Sequence, residues 1–69
     1  MITNYVVAIS PDGIPEIFSF SCDVIDDINI VMEDKEDQLN LELQEEGYEI
    51  IENVGQSYDE ALRLVEKYS

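Results

Sequence analysis

The sequence has few of the residues on which most catalytic and metal sites depend. Its 69 residues include no His, no Trp and a single Cys, Cys22. Without His, the Cys22 thiol and the Ser hydroxyls lack the commonest general base for nucleophilic catalysis. One Cys forms no disulfide within the chain and supplies too few ligands for a zinc site. No segment has the carboxylate spacing of an EF-hand calcium loop. We therefore expect neither an enzyme nor a metal or cofactor site.

Positively charged residues are also scarce. Three Lys and Arg stand against 17 Asp and Glu, which gives a formal charge of −14 at pH 7. Most of this charge has no internal partner and repels itself within the folded chain. Because it repels phosphates, direct DNA or RNA binding is excluded. The charge would instead attract a strongly basic surface, such as one built to hold nucleic-acid phosphates. The alternative is that it only keeps the protein in solution.

Long hydrophobic runs are missing as well. The first run, Tyr5–Ile9, has five residues and follows no basic segment, whereas a membrane helix needs about 20 apolar residues. We expect neither a signal peptide nor a membrane span, and a cytoplasmic location. Apolar residues still make up 45% of the chain. That is sufficient for the core of one small domain that spans residues 1–69.

The apolar pattern predicts an α+β fold with the order ββαβα. Tyr5–Ile9 is β-branched and apolar on both faces, as in a central strand. Ser10–Gly13 has the composition of a turn, with Pro second and Gly last. The second strand, Ile14–Ser21, contains Pro15, which favours a sheet edge, and Tyr48–Val54 is the predicted third strand. With strands two and three parallel, the three-stranded sheet has the order 2-1-3.

Two helices are predicted to pack on this sheet. Between Cys22 and Gly47, at about 100° per residue, apolar residues collect in one arc and acidic residues in another, which indicates one long amphipathic helix. Gly47 suits the position after a helix end. Strand-like alternation of Ile and Leu leaves open a break between Asp27 and Asp34. Ser57–Glu60 is a capping box that opens the second helix. The apolar arc of the first helix contains Val24, Ile25, Ile28, Val31, Met32, Leu39 and Leu43, and that of the second contains Ala61, Leu62, Val65 and Tyr68.

The acidic arc of the long helix is the candidate site. It contains no base, and Lys35 falls near the apolar arc instead. From Asp23 to Glu45 it would extend about 33 Å, close to the roughly 34 Å of one turn of B-DNA. An ordinary solvated helix face is the alternative interpretation. The predicted partner-binding residues are Asp23, Asp26, Asp27, Glu33, Asp34, Asp37 and Glu45. Further carboxylates from other elements would be those of Glu16, Glu49, Glu52, Asp59 and Glu60.

Two apolar residues, Ile30 and Leu41, project from the acidic arc at nearly the same angle. They are candidate anchors for a partner or for a homodimer contact. The other interpretation is that the segment is not helical at these positions.

In size, charge and distributed carboxylates, the whole chain resembles the small acidic phage-encoded inhibitors that imitate DNA. It is most similar to the inhibitors of the bacterial histone-like HU protein, with anti-CRISPR proteins of the same charge type close behind. The resemblance implies a stoichiometric inhibitor that blocks the DNA-binding surface of a basic host protein in the host cytoplasm. It implies no direct nucleic-acid contact, no membrane and no cofactor.

A second resemblance is local. Tyr5–Ile9, Asp12-Gly13 and Gly55–Leu62 are similar to the core of HicB antitoxins, in which a ββ hairpin is followed later by a helix with this type of start. It implies an antitoxin, or another acidic interaction module, that binds a small basic partner. The intervening segment is longer and more helical than in that family.

Overall fold

Three strands and two helices follow one another in the predicted order. The computed structural model describes residues 1–23 and 27–69. Its elements are β1 (Ile2–Ile9), β2 (Pro15–Cys22), α1 (Ile28–Glu45), β3 (Glu49–Gly55) and α2 (Tyr58–Tyr68). The α+β class and the ββαβα order are therefore confirmed.

β1 is the central strand of the sheet, whose order is β2-β1-β3. Both neighbours run antiparallel to β1, so β2 and β3 are parallel to each other, as the predicted 2-1-3 order required. β1 pairs with β2 without interruption from Ile2 opposite Cys22 to Ile9 opposite Pro15. The pairing of β1 with β3 contains two register shifts. β2 is an edge strand, as its Pro predicted, and it extends from Pro15 to Cys22 rather than from Ile14 to Ser21.

The connection between β1 and β2 is the predicted turn. The Gly13 amide donates to the Ser10 carbonyl at 2.9 Å, and Gly13 has a φ of 85°. The Ser10 hydroxyl accepts a further hydrogen bond from the Ile14 amide at 3.1 Å. Since a side chain disfavours a positive φ, Gly13 provides the backbone conformation that the turn requires.

The two helices cover opposite faces of the sheet. Val6 belongs to a buried cluster that includes Met32 of α1. The ring of the preceding residue, Tyr5, contacts the ring of Tyr58 at the start of α2, with 5.2 Å between centroids. Because consecutive side chains of a strand point to opposite faces, α1 and α2 lie on different sides of β1. Val6 and Val7 accordingly have no exposed surface.

α1 begins later than the sequence predicts. Cys22 is the last residue of β2 rather than the start of a helix, and α1 starts at Ile28 with Asp27 as its N-cap residue. The strand continues to Cys22 because this side chain, two residues after Phe20, packs in the same buried cluster, and alternate residues of a strand share a face. Residues 24–26, where part of the predicted helix falls, lie outside the described residues.

A Schellman motif terminates α1 at its C-terminal end. The Gly47 amide donates to the Gln44 carbonyl at 3.0 Å, and the Tyr48 amide donates to the Leu43 carbonyl at 2.9 Å. Gly47 has a φ of 89°, as the residue after such a helix end requires. A Cβ atom at Gly47 would lie 3.0 Å from Cγ of Pro11. Gly47 thus ends α1 and lets the chain pass close to the β1–β2 turn.

α1 is continuous between its two ends, so the break considered between Asp27 and Asp34 does not occur after Ile28. The strand-like alternation of Ile and Leu lies within this helix. α2 begins as predicted, because the Ser57 hydroxyl accepts a hydrogen bond from the Glu60 amide at 3.3 Å.

The core lies mainly between β1 and the two helices. Its buried apolar residues are Val6, Val7, Ala8, Phe20, Cys22, Met32, Leu43 and Ala61. The predicted apolar face of α1 is confirmed for its described members, since Ile28, Val31 and Leu39 also pack against buried residues. The predicted apolar face of α2 is confirmed in part. Leu62 and Tyr68 remain 41% and 43% exposed, whereas Leu64, which was not predicted, is partly buried.

Candidate functional site: the outer face of α1

The side of α1 turned away from the sheet carries the candidate site. The buried residues Met32 and Leu43 fix which side of the helix points inward. At 100° per residue, the residues on the far side are exposed and mostly acidic. We call this surface the outer face of α1. It consists of Ile30, Glu33, Asp34, Asp37, Leu41 and Glu45.

Four of the predicted partner-binding residues lie together on this face: Glu33, Asp34, Asp37 and Glu45. Asp23 and Asp27 are exposed too, but they precede α1, and Asp26 lies outside the described residues. The helical array from Glu33 to Glu45 therefore extends about 18 Å. The prediction of one helix that matches a full turn of B-DNA was wrong, because α1 starts only at Ile28, with Asp27 as its N-cap residue.

The five further carboxylates that were predicted lie on β2, β3 and α2. The carboxylate of Glu16 accepts a hydrogen bond from the Tyr48 hydroxyl at 3.0 Å. Asp59 and Glu60 lie in the first turn of α2, on the other side of the sheet from α1. Glu49 and Glu52 are exposed residues of β3.

The cationic side chains of the chain are held away from the outer face. Lys35 Nζ donates to the Ser21 carbonyl of β2, so Lys35 points toward the sheet, as its predicted place near the apolar arc required. Arg63 and Lys67 belong to α2, across the sheet. Within residues 1–23 and 27–69, no Lys or Arg side chain therefore lies on the outer face with these carboxylates.

The negative field of the chain affects a titratable group beside the C-terminal end of α1. The hydrogen bond to Glu16 raises the pKa of the Tyr48 hydroxyl above its ordinary value of 10.0. Burial and the charges of Glu16, Glu46 and Asp12 act in the same direction. The Tyr48 ring also packs edge-on against Phe18, with 5.3 Å between centroids. These contacts attach the segment after α1 to the edge strand β2.

The two apolar residues of the outer face are well exposed. Ile30 has 62% and Leu41 has 58% of its surface accessible. Both lie within the helix, so the interpretation that they mark a non-helical segment was wrong. Their exposure is consistent with their prediction as candidate anchors for a partner or for a homodimer contact.

A small cleft lies on the other side of the sheet from α1. It encloses about 220 Å³ between β3 and α2 and is lined by Glu52, Val54, Glu60, Arg63 and Leu64. Its one cation stands with two carboxylates, and the lining residues include no pair of nucleophile and base. Residues 1–23 and 27–69 contain no group of three side chains placed to hold a metal ion. Neither α1 nor α2 has both the length and the apolar character of a membrane-crossing helix.

No family model matches this sequence, and no curated protein or solved structure matches it. The function is therefore inferred from the outer face of α1 and from the charge of the chain.

Proposed function

We propose that the protein is a stoichiometric inhibitor of a basic nucleic-acid-binding protein. In this proposal, the outer face of α1 occupies Arg and Lys side chains that otherwise hold phosphates. The observation that carries it is the exposure of Glu33, Asp34, Asp37 and Glu45 on one side of a helix from which the cations of the chain are turned away. Bacterial histone-like proteins of the HU type are the target class that we propose to test first, in the cytoplasm of a phage-infected host.

The charge spacing of the outer face supports competition with a phosphate backbone. One DNA strand presents a phosphate every 3.4 Å of helix axis. Glu33, Asp34 and Asp37 lie within about 6 Å along the axis of α1, and Glu45 lies about 12 Å further on. Residues three or four apart on a helix have Cβ atoms about 5–6 Å apart, so neighbouring carboxylates can accept from separate Arg or Lys side chains. The array is sparser than a DNA strand, and the net charge of −14 adds long-range attraction.

An antitoxin of the HicB type, or another acidic module that binds a small basic partner, is the second candidate. The observations that favour it are the β1–β2 hairpin and the Ser57 cap at the start of α2. Against it stands α1, whose 18 helical residues fill the segment in which this sequence departs from the HicB pattern. An anti-CRISPR protein of the same charge type would use the outer face in the way proposed here.

Release of DNA from its protein complex tests the proposal. When the protein is titrated into a complex of duplex DNA and a histone-like protein, we expect a gel-shift assay to show free DNA at about equimolar inhibitor, because both ligands compete for the same cations. An unrelated acidic protein of similar pI is the control and should release little DNA. An antitoxin would leave the DNA bound and would co-purify with a small toxin. Failure to release DNA from this and other basic DNA-binding proteins would favour the solubility interpretation of the charge.

Salt is expected to act in opposite directions on the fold and on the complex. Between about 0.05 and 0.5 M salt, the Debye length falls from over 10 Å to under 5 Å. Screening reduces repulsion among the uncompensated charges, so the free protein should melt at a higher temperature. The same screening should weaken the complex, because attraction between opposite charges supplies part of its affinity. Thermal melts and titrations across this range measure both effects. An affinity that does not change with salt would mean that apolar contacts carry the binding.

A further inference from the structure

Four residues of the outer face form a straight row along α1: Ile30, Asp34, Asp37 and Leu41. Their spacings of four, three and four residues are those of the a and d positions of a heptad repeat. The row therefore stays on one side of the helix over about 16 Å. We call it the seam. Two carboxylates occupy its centre, and a largely exposed apolar side chain stands at each end.

The seam differs from an ordinary solvated helix face in the placement of its apolar residues. The other large apolar side chains of α1 are buried or partly buried: Ile28, Val31, Met32, Leu39 and Leu43. Of the large apolar side chains of α1, only Ile30 and Leu41 are exposed. They lie about three helical turns apart and at nearly the same angle around the helix. A single exposed apolar residue requires no explanation. Two exposed apolar residues at the same angle, with a pair of carboxylates between them, have the spacing that a second, packed helix would present.

We propose that the seam binds one α-helix of the target. This helix carries basic residues at two central positions and apolar residues at two outer positions, with the same four-three-four spacing. The inference rests on the proposed function and names the element of the target that the inhibitor contacts. The two cations pair with Asp34 and Asp37, while the apolar residues pack against Ile30 and Leu41. The aliphatic parts of the Lys or Arg side chains cover the space between these contacts.

The geometry favours a helix over an extended segment. Two packed helices share a repeat of about 3.5 residues, so all four positions of the seam meet a partner position at once. An extended chain repeats every two residues and rises about 3.3 Å per residue, which does not follow the four-three-four spacing. A helix-on-helix contact of this length is small compared with specific protein interfaces. Stable binding therefore needs both the ion pairs with the two Asp residues and the apolar contacts with Ile30 and Leu41.

A second copy of this chain is the wrong occupant for the seam. Two copies would bring together two charges of −14. If seam met seam, Asp34 and Asp37 of each copy would face carboxylates of the other, which like charges disfavour. Lys35, the cation within the same helix, donates to the Ser21 carbonyl on the inner side. Charge complementarity thus selects a basic helix.

A synthetic peptide tests the seam directly. The probe is an 18-residue helical peptide with Leu, Arg, Arg and Leu at the four-three-four spacing, and its control has the same composition with these residues distributed around the helix. Fluorescence anisotropy with the full chain should show binding of the probe at least about tenfold tighter than that of the control. Ile30→Ala and Leu41→Ala should each weaken it about tenfold. The double change Asp34→Asn with Asp37→Asn should weaken it to a similar extent and remove most of its salt dependence.

Matched variants away from the seam separate its effect from general ones. Ile14→Ala removes an apolar side chain that is 59% exposed in the β1–β2 turn, and it should leave the affinity unchanged. The double change Glu49→Gln with Glu66→Gln removes two exposed carboxylates, and it should also leave the affinity for the probe peptide unchanged. Equal affinities of the probe and control peptides for the chain would refute the proposal. It would also be refuted if Ile30→Ala, Leu41→Ala and Ile14→Ala bound the probe with equal affinity. A dimer in sedimentation that Ile30→Arg dissociates would overturn it as well, because the second copy would then be the occupant.

The DNA-release assay keeps the two proposals distinguishable. If Ile30→Ala with Leu41→Ala releases DNA as well as the wild type does, the seam is refuted and the carboxylate array remains. If the wild type binds the probe peptide through the seam but releases no DNA, the proposed function is refuted and the helix-binding seam remains.

Discussion

Reversal of the charge on the outer face of α1 is expected to abolish inhibitory binding while the fold is kept. The variant replaces Glu33, Asp34, Asp37 and Glu45 with Lys. Each exposed ion pair contributes only about 0–1 kcal/mol, so a single neutralisation such as Asp34→Asn should weaken binding less than about fivefold. Four reversals turn attraction into repulsion and should weaken it about a hundredfold or more. The measurement is the concentration of inhibitor that releases half of the bound DNA.

The control for this variant carries the same charge change elsewhere. Asp12, Glu49, Glu52 and Glu66 are all exposed and lie outside α1; their replacement with Lys should reduce DNA release far less. Both variants should fold, because each lowers the self-repulsion of the chain, and circular dichroism would verify this. Equal losses in the two variants would mean that net charge, not the outer face, determines binding. Loss of all activity on Asp34→Asn alone would point to a discrete site.

Truncation of Met32 should have a large effect on the stability of the fold. Met32 is 9% exposed and packs in the cluster of Val6, Phe20 and Cys22. Its replacement by Ala leaves a cavity and should cost about 2–5 kcal/mol. For a domain of this size the whole free energy of unfolding is on the order of 3–10 kcal/mol, so the variant should be close to unfolding at room temperature. Urea denaturation with the linear extrapolation would measure the difference.

Ile30→Ala is the matched control for Met32→Ala on the same helix. Because Ile30 is 62% exposed, its truncation should change the free energy of unfolding by less than about 0.5 kcal/mol. If the two variants lost similar stability, Ile30 would be buried in solution and the outer face would not be open to a partner.

The elements that follow from local chemistry were predictable from the sequence. The β1–β2 turn depends on Pro11 and Gly13, the end of α1 on Gly47, and the start of α2 on Ser57. In each case one residue supplies a backbone angle or a hydrogen bond that few others provide. The sheet order followed from two further features, the apolar run Tyr5–Ile9 within β1 and the Pro at the start of β2.

The features that depend on contacts between distant segments were not predictable. Periodicity alone does not mark Cys22 as the end of a strand, and only its packing with Val6 and Phe20 places it in β2. The two shifts between β1 and β3 arise from how the strands meet, and no residue type marks them. Leu62 lies in the apolar arc of α2 but remains 41% exposed, because a sheet of three strands covers only part of that helix.

The candidate site was predictable where helical periodicity alone decides it. Glu33, Asp34, Asp37 and Glu45 share a face because the segment is helical there, and Lys35 points inward for the same reason. The length of the array was not predictable, since it depended on where α1 starts. Glu16 could not be assigned either, because its hydrogen bond joins β2 to Tyr48, in the connection between α1 and β3.

The central place of β1 also determines the order in which the chain can assemble. Ile9 pairs with Pro15 of β2 and with Glu49 of β3, so the first contact closes a short loop and the second closes one of about forty residues, at a higher entropic cost. The hairpin can therefore form while the other edge of β1, with Val6, Val7 and Ala8, still lacks its neighbour. An open apolar strand edge is a site for aggregation. At a net charge of −14, two such partly folded chains repel each other, which opposes pairing at that edge.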